Sequence, residues 1–411
     1  MRKLAWGLLL LFAFASPWEY SLDSGEPLGN VARIIGLLLL LVAIPAILHS
    51  GRLRTPGLLQ WVVLVFYLWF CCSYFWAIDQ HATLERLRGY FQEMMIVWLI
   101  WEFAESPRDL RALLRAYVAG SWVLSALTVA NLASAEAMAA GQTRFVAVGQ
   151  DPNDVARFLD IGIPLAALLV NCEPRWPARV LAHGYLPLGL VAVLLTASRG
   201  GFLAALVALA GSALLFLRRP TRAMMAAAFV LPVIAFVLWF GVPHETFERL
   251  TTIPAQMAGG DLNQRLNIWD AGWHAFVQAP WLGTGAGSFV AAAGMNPQDT
   301  AHNSVLSILV GGGLCALFIA ACIVAATVWG LLQTRGPLLL ALATALSVWA
   351  LTSLVATVEE SRTTWLLLGA IALAGRLARE EPQRLAACFA DRTHPSGAAL
   401  AGPAPAAHPA L

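Results

Sequence analysis

The chain has 411 residues, of which 59% are hydrophobic and only 12% are charged, and its mean hydropathy is +0.69. A soluble domain carries about 25% charged residues, so this composition excludes an ordinary soluble enzyme and indicates a polytopic membrane protein. The six cysteines show no CxxC or Cys/His spacing, so the sequence predicts neither a metal site nor a disulfide framework.

The apolar runs predict an all-α polytopic membrane protein. Residues 1–16 resemble a signal peptide, with Ala13-Phe14-Ala15 as a cleavage site, but we expect them to remain as the first helix. About 20 apolar residues cross a bilayer. Twelve candidate spans lie near residues 3–16, 30–48, 57–75, 87–103, 110–133, 154–171, 180–197, 201–217, 222–240, 304–331, 337–357 and 362–378.

The basic residues predict the orientation of these spans. With the N-terminus in the cytoplasm, most of the 26 basic residues fall in cytoplasmic segments, and the even number of spans puts both termini inside. We expect residues 1–379 to form one membrane domain with a large outer loop at 241–303, between the ninth and tenth spans. The Ala/Pro-rich segment 380–411 is typical of a disordered cytoplasmic tail.

The outer loop contains a predicted amphipathic helix. Its apolar face consists of four residues spaced by three and four: Leu266, Trp269, Trp273 and Phe276. Pro280 ends the pattern, and the glycines at 283, 285 and 287 allow a sharp bend. We expect this helix, with Trp269, Trp273 and Trp281, to lie over the outer leaflet.

Arg199 is the most informative of the arginines predicted to lie outside. It lies in the segment Thr196–Gly201 between two apolar runs, with no acidic residue nearby in the sequence. A guanidinium in that position suits an anionic headgroup or a phosphate. The adjacent Gly200 would let phosphate oxygens approach backbone N–H groups at the start of the next helix. Anchoring of the helix in the membrane is the alternative.

Other outer residues have a structural and a functional interpretation. Arg86, Arg88 and Arg157 at outer helix ends are candidate ligand contacts, or two of them pair locally, Arg86 with Glu85 and Arg157 with Asp160. Arg265 is a loop-helix cation or a partner of Asp261 or Asp270. His302 precedes a helix that Asn303 or Ser304 would cap. It is either a surface residue or a base. Nearby arginines and the helix N-terminus favour the neutral imidazole that a base requires.

Three motifs in this order resemble the superfamily of O-antigen ligases and polymerases, which are membrane glycosyltransferases. They are TASRGG (196–201), RLNIWDAGWHAFVQAPWLGTGAGSF (265–289) and AHNSVLSILVGGG (301–313). The span layout and the segment QDPND (150–154) resemble the family as well. The specific motifs cover about a tenth of the chain, and the layout covers most of it.

The resemblance implies transfer of O-antigen from undecaprenyl diphosphate to lipid A–core on the periplasmic side of the bacterial inner membrane, completing lipopolysaccharide without a metal or other cofactor. It implies that Arg199 and Arg265 offset charge on the diphosphate and that His302 is the general base. A single displacement at the anomeric carbon predicts that the anomeric configuration is inverted. Candidate substrate contacts are Arg86, Arg88, Arg157, Asn303, Gly200 and Trp269.

Two alternatives remain open from the sequence. The first is a Wzy-type O-antigen polymerase, or another glycan ligase, of the same superfamily, because acceptor choice depends on variable outer loops. The second is a transporter of lipid-linked glycan without catalysis, but such a protein should carry charges at mid-membrane depth, and the apolar runs here are nearly free of them. The ligase of WaaL type is the interpretation that we favour, and no nucleic-acid partner is predicted.

Overall fold

The computed structural model describes residues 1–22, 30–132, 134, 143–217, 248–249, 251–253, 264–296 and 299–390. This described part of the chain consists of helices and connecting segments and contains no strand. The α-helices are α1 (Arg2–Ala15), α2 (Val31–Ser50), α3 (Leu58–Ser73), α4 (Gln80–Phe103), α5 (Pro107–Leu132), α6 (Pro152–Cys172), α7 (Trp176–Leu195), α8 (Arg199–Leu217), α9 (Arg265–Gln278), α10 (Phe289–Ala293), α11 (Ser304–Leu332), α12 (Gly336–Ser353), α13 (Arg362–Glu380) and α14 (Pro382–Phe389). A 3₁₀ helix, Ser16–Leu22, follows α1.

Seven of the described helices are long and apolar enough to cross a membrane: α2, α5, α6, α7, α8, α11 and α12. Helix α3 is apolar but has only 16 residues. An all-α polytopic membrane protein is thereby confirmed. The predicted span at 222–240 lies outside the described residues, so the count of twelve spans stays a prediction.

Contacts between helix termini define two ends of the bundle. At one end Arg2 forms an ion pair with Glu102 at 2.8 Å, and the guanidinium of Arg376 donates to the carbonyl oxygen of Trp101 at 2.7 Å. At the other end the 3₁₀ helix meets the segment before α6 through Gln150, whose side chain donates to Ser21 Oγ at 3.2 Å. We call the second end, which also holds residues 196–199, 264–296, 299–303 and 354–362, the His302 end.

Helix α6 is the centre of the bundle and is buried along almost its whole length. It packs against α5, α7, α8 and α12. Close approach to α8 depends on Gly201, because a Cβ atom there would lie 2.3 Å from the Cβ of Ala156. On the α7 side, the Tyr185 hydroxyl donates to the carbonyl oxygen of Leu159 at 2.7 Å.

Helix α11 is interrupted at Gly313, and the glycine-rich turn of the outer loop completes its backbone hydrogen bonding. Gly313 has φ 66° and ψ −166°, which a residue with a Cβ rarely adopts. The N–H groups of Thr284 and Gly285 donate to the carbonyl oxygens of Val310 and Gly311 at 2.8 and 2.9 Å. Leu314 N–H in turn donates to Pro280 O at 2.8 Å. The turn therefore satisfies backbone groups that the interruption exposes.

The predicted amphipathic helix in the outer loop is present as α9, and its apolar side chains form two stripes. Helix α9 buries Ile268, Gly272, Ala275 and Phe276, whereas Leu266 and Trp273 are 47% and 53% exposed. Two stripes with the same spacing lie side by side on this helix, and periodicity alone does not tell which one faces the core. The buried stripe is the one that packs against α11 and Phe289 of α10.

Two predicted boundaries also require correction. Helix α4 begins at Gln80 rather than near 87, because the Asp79 side chain accepts a hydrogen bond from Ala82 N at 2.9 Å and caps a polar first turn. The predicted disordered tail from 380 begins too early. Residues Pro382–Phe389 form α14, with Leu385 and Phe389 buried in the bundle. Residues 391–411 lie outside the described residues.

We expect Gly201→Ala to destabilise the protein by about 1–3 kcal/mol, because the added methyl group overlaps Ala156. The measurement is thermal unfolding in detergent. Adding Ala156→Gly should restore stability, and Gly7→Ala, where no atom lies within 4 Å of the new Cβ, is the matched control. Equal unfolding temperatures for Gly201→Ala and the native chain would contradict the packing assigned to α6 and α8.

Candidate active site at the His302 end

The turn between α7 and α8 places Arg199 at the first position of α8. Ala197 has φ 48°, and the Ser198 hydroxyl accepts a hydrogen bond from Gly201 N at 3.1 Å, which caps the new helix. The same hydroxyl donates to Asn153 Oδ1 at 2.8 Å. The turn is therefore fixed to the start of α6.

Hydrogen bonds to Arg249 and Thr252 hold the half-buried Arg199 side chain. Its Nε donates to the carbonyl oxygen of Arg249 at 3.1 Å, and its Nη2 donates to Thr252 Oγ1 at 2.8 Å. These contacts connect the turn before α8 to the described part of the large outer loop. The guanidinium group is thus fixed in position rather than mobile in solvent.

His302 is positioned by the helix that follows it. Its φ of 45° is unusual for a residue with a side chain, and the next residue, Asn303, caps α11 by accepting from Leu306 N at 3.0 Å. The predicted cap is thereby confirmed. From the other side, Trp269 Nε1 of α9 donates to Ala301 O at 3.1 Å. Two helices therefore fix the backbone on either side of the imidazole.

The charges of Arg265 and His302 act on each other. Burial lowers the pKa of His302, and the positive charge of Arg265 lowers it further, while the carboxylates of Asp151 and Asp299 oppose the shift. Burial likewise lowers the pKa of Arg265, with Asp151 opposing and Arg199 adding to the shift. The three residues predicted from the sequence to act together therefore lie in one electrostatic environment. In that environment the imidazole is neutral near pH 7 and is able to accept a proton.

Arg144 joins this group, although the sequence analysis did not select it. Its Nε donates to Thr196 O at 3.1 Å, and its Nη2 donates to Asn153 Oδ1 at 3.4 Å. Burial lowers the pKa of Arg144 to about 10, Asp151 opposes that shift, and three further arginines add to it: Arg249, Arg265 and Arg199. A basic residue just before the QDPND segment was the available signal. We call Arg144, Arg199, Arg249 and Arg265 the arginine cluster.

Asp151 is the carboxylate that these groups share. It caps α6 by accepting from Asn153 N at 2.7 Å and Asp154 N at 3.3 Å, and it remains exposed. Its negative charge raises the pKa values of Arg144, Arg265 and His302. Several guanidinium groups around one carboxylate leave positive charge that a bound anion can neutralise.

The remaining predicted contacts lie in different surroundings. Arg157 is 1% exposed and pairs with Asp154 at 2.8 Å, so the predicted pairing with Asp160 is wrong. Arg86 pairs with Glu360 at 2.7 Å, not with the neighbouring Glu85. The partner of Arg86 lies on another segment, whereas Asp154 and Asp160 are both one helix turn from Arg157, so sequence spacing does not decide between them.

Three further predicted contacts have structural roles or lie apart from the cluster. The Asn303 amide group donates to Leu354 O at 3.2 Å, so both ends of that side chain are engaged. A Cβ at Gly200 would lie 3.0 Å from Val355 Cγ2, so this glycine contacts the segment after α12. Arg88 is exposed and lines a cavity described below. Substrate binding by the predicted residues stays a prediction.

An apolar groove of about 650 Å³ begins beside this site. Its walls come from α11, α12 and α13, and the lining runs along α11 from Ser304 to Val324. Its rim includes Leu354 and Val358 of the segment after α12, and that same segment contacts Gly200 next to Arg199. The groove therefore connects the arginine cluster to the apolar body of the bundle.

A larger, polar cavity of about 1350 Å³ lies on another side of the site. It is lined by the first turn of α2, the N-terminal half of α4, Tyr20, Tyr67 of α3, α10, and residues near Glu360. Asp299 and Thr300 also line it, which brings it to the segment that carries His302. Within the described ranges, no three His, Cys, Asp or Glu side chains group as a metal site. Metal independence stays a prediction.

Part of the chain matches a known family. Residues 185–321 match the model of the family described as O-antigen ligase. The match supports membership of the O-antigen ligase superfamily and indicates a glycosyltransferase-like ligase or polymerase activity. The match covers a third of the chain and includes Arg199, Arg265 and His302, whereas Arg144 and Asp151 lie outside it. No curated protein matches the chain.

We expect the pKa of His302 to lie below 6.5, the usual value, and to respond to its charged neighbours. Arg265→Gln removes a positive charge and should raise the pKa. Asp151→Asn removes a negative charge, preserves the cap of α6 and should lower it further. The measurement is an NMR titration of ¹³C-histidine-labelled protein in detergent, with His302→Gln used for assignment.

Arg335→Gln is the control for this titration, because Arg335 precedes α12 at the opposite end of the bundle. It should leave the pKa of His302 unchanged. A shift of the same sign in Arg265→Gln and Asp151→Asn would contradict the electrostatic arrangement.

Proposed function

We propose that this protein is an O-antigen ligase of WaaL type that transfers O-antigen polysaccharide from undecaprenyl diphosphate to lipid A–core. The observation that supports it most is the convergence of His302 with the arginine cluster at one end of a membrane bundle. We place this end on the periplasmic side of the inner membrane, with both termini in the cytoplasm, as the distribution of basic residues predicts.

The proposed reaction is a single displacement. A hydroxyl oxygen of the acceptor sugar attacks the anomeric carbon of the glycan, and the bond from that carbon to the diphosphate oxygen breaks. The electron pair of that bond goes to the diphosphate, and the hydroxyl proton goes to His302. The products are the glycosylated acceptor and undecaprenyl diphosphate, and the anomeric configuration is inverted.

The arginine cluster supports the departure of the diphosphate. Negative charge grows on the leaving oxygen, and guanidinium groups already fixed by hydrogen bonds can stabilise it without reorganising. Arg199 and Arg265 are the predicted contacts, and Arg144 adds a third. Because these side chains are partly buried, their attraction for the diphosphate is screened less than it would be in water.

The lowered pKa of His302 supports its assignment as general base. A positioned base of this kind contributes about 10²–10⁴-fold to the rate. When the anionic diphosphate binds beside Arg265, its charge raises the proton affinity of the imidazole, so the base becomes stronger in the complex. Holding the donor and the acceptor in one cleft raises the rate further through their proximity.

The apolar groove supports a donor with a long hydrocarbon chain. Its lining extends along α11 over residues 304–324, roughly 30 Å at 1.5 Å per residue, which suits an extended polyprenyl chain. The rim next to Gly200 would put the diphosphate of such a lipid at the arginine cluster. Trp273 and Trp281, which are 53% and 67% exposed, would contact the outer leaflet nearby.

Transfer activity tests the proposed function. We expect purified protein in detergent with EDTA to convert lipid A–core and lipid-linked O-antigen into full-length lipopolysaccharide. His302→Ala should lower kcat by about 10²–10⁴-fold. The matched control is His274→Ala, because that histidine belongs to the same loop but is exposed on α9, and it should keep native activity.

Each other result has a definite meaning. Lengthening of the lipid-linked glycan with lipid A–core left untouched would identify a polymerase. Full activity of His302→Ala would remove the base assignment. Lack of both products with folded protein would reject catalysis and favour transport.

We expect Ala321→Phe to raise the KM for the undecaprenyl-linked donor more than tenfold, because Ala321 lines the groove and the new ring displaces part of the chain. The kcat/KM of a donor with only two isoprene units should not change. Ala325→Phe on the same helix is the control, because that exposed residue does not line the groove. Equal effects of both variants would contradict the groove assignment.

A further inference from the structure

The proposed binding of the donor does not involve the polar cavity at the His302 end. Its volume of about 1350 Å³ exceeds the range of roughly 300–1,000 Å³ that small-molecule sites occupy. It is separate from the apolar groove, because no described residue lines both cavities. A ligand that fills it is larger than a single sugar ring.

Most charged groups of the cavity wall already have partners inside the protein. Arg86 pairs with Glu360, and Arg362 pairs with Glu19 and donates to Gln92 Oε1 at 2.9 Å. Two acidic side chains are also engaged with backbone, Asp79 with Ala82 N and Asp299 with Asn296 N. These pairs make the wall rigid and leave little of their charge for a ligand.

Two arginines of the wall are available to a ligand. Arg33, in the first turn of α2, and Arg88, in the third turn of α4, are exposed and form no hydrogen bond or ion pair through their guanidinium groups with any described residue. Glu85 is the exposed carboxylate beside them. Guanidinium groups bind phosphate and carboxylate through paired N–H donors, and a carboxylate accepts from hydroxyl groups.

Aromatic side chains complete the cavity. Tyr67 and Phe91 lie with their ring centroids 6.0 Å apart on one wall, and Tyr20 lies on another. Aromatic faces beside mixed donors and acceptors suit sugar rings, which present C–H faces and hydroxyl edges. Free guanidinium groups, a carboxylate and aromatic rings together describe an oligosaccharide site with a preference for an anionic substituent.

We infer that this cavity binds the acceptor as an oligosaccharide whose phosphate or carboxylate groups pair with Arg33 and Arg88. The identification of the ligand as the acceptor rests on the proposed function, whereas the chemistry of the ligand follows from the cavity alone. The acceptor would reach His302 past Asp299 and Thr300, and the donor would reach it from the groove and the arginine cluster. A reaction that inverts the anomeric carbon requires such entry from two sides.

Equilibrium binding to the His302→Ala protein in detergent tests the inference without turnover. The probes are a lipid A–core glycolipid, the same glycolipid after removal of its phosphate groups, and undecaprenyl diphosphate. We expect Arg33→Gln/Arg88→Gln to weaken binding of the intact glycolipid about tenfold or more and to leave binding of undecaprenyl diphosphate unchanged. Arg52→Gln, which changes an exposed arginine just after α2 at the opposite end, should change neither.

The two phosphorylation states give a double-mutant cycle. Removal of the phosphates should weaken binding of the glycolipid to the protein that has Arg33 and Arg88. It should have little further effect on binding to the Gln/Gln variant. Arg33→Lys/Arg88→Lys retains the charges and should recover most of the affinity, which distinguishes ligand contact from a folding defect. Equal affinity of native and Gln/Gln proteins, or equal sensitivity of both to phosphate removal, would overturn the inference.

Failure of the inference and failure of the proposed function give different results. Binding that depends on Arg33 and Arg88 without any glycan transfer by the native protein would reject the ligase and support the saccharide site. Glycan transfer to lipid A–core with unchanged acceptor KM in the Gln/Gln variant would support the ligase and reject the site.

Discussion

The candidate active site depends on positively charged side chains that repel one another and are held together by hydrogen bonds. Four guanidinium groups and an imidazole share one end of the bundle with Asp151, and burial, together with the positive charge of neighbouring arginines, lowers the pKa values of Arg144, Arg265 and His302. Repulsion of this kind would separate flexible side chains. Here Thr196 O, Asn153 and the Arg249 carbonyl fix the guanidinium groups of Arg144 and Arg199, so the protein keeps a site that a multiply charged anion stabilises.

The rest of the fold keeps these groups together. Arg144 precedes α6, Arg199 begins α8, Arg265 begins α9, and His302 precedes α11, so four segments distant in sequence must meet. Gly201 allows α8 to approach α6, and the interruption of α11 at Gly313 accepts the turn that follows α9. Small changes at these glycines, far from any reacting atom, would therefore alter the spacing of the charges.

The sequence predicted the elements well and their partners poorly. Apolar runs gave the helices because burial in lipid imposes a length and a composition. The cap at Asn303 and the bend at Gly283, Gly285 and Gly287 followed from local backbone chemistry, and the observed φ values of 70°, 104° and 72° confirm the bend. The pairing of Arg86 was wrong because its partner, Glu360, lies on another segment. The pairing of Arg157 was wrong because Asp154 and Asp160 are both one helix turn away, so spacing alone does not decide between them. Which stripe of α9 packs against α11 likewise depends on the segments that meet in space.

Arg144 shows the limit of reading residues in isolation. In the sequence it is one outer arginine among several, and only the contact of its loop with the turn before α8 brings it to Arg199. The cavity lined by Arg33 and Arg88 is similar, because its walls come from α2, α4 and α10, which no local pattern connects. Charge that converges from separate helices is visible only after folding.

The affinity for undecaprenyl diphosphate in EDTA, measured for the native protein and for Arg144→Gln, tests the central claim most directly. If the arginine cluster holds the diphosphate, the native protein binds it without metal, Arg144→Gln binds it about tenfold more weakly, and Arg335→Gln at the opposite end binds it like the native protein. Equal affinity of all three proteins, or binding only after a divalent cation is added, would contradict the account.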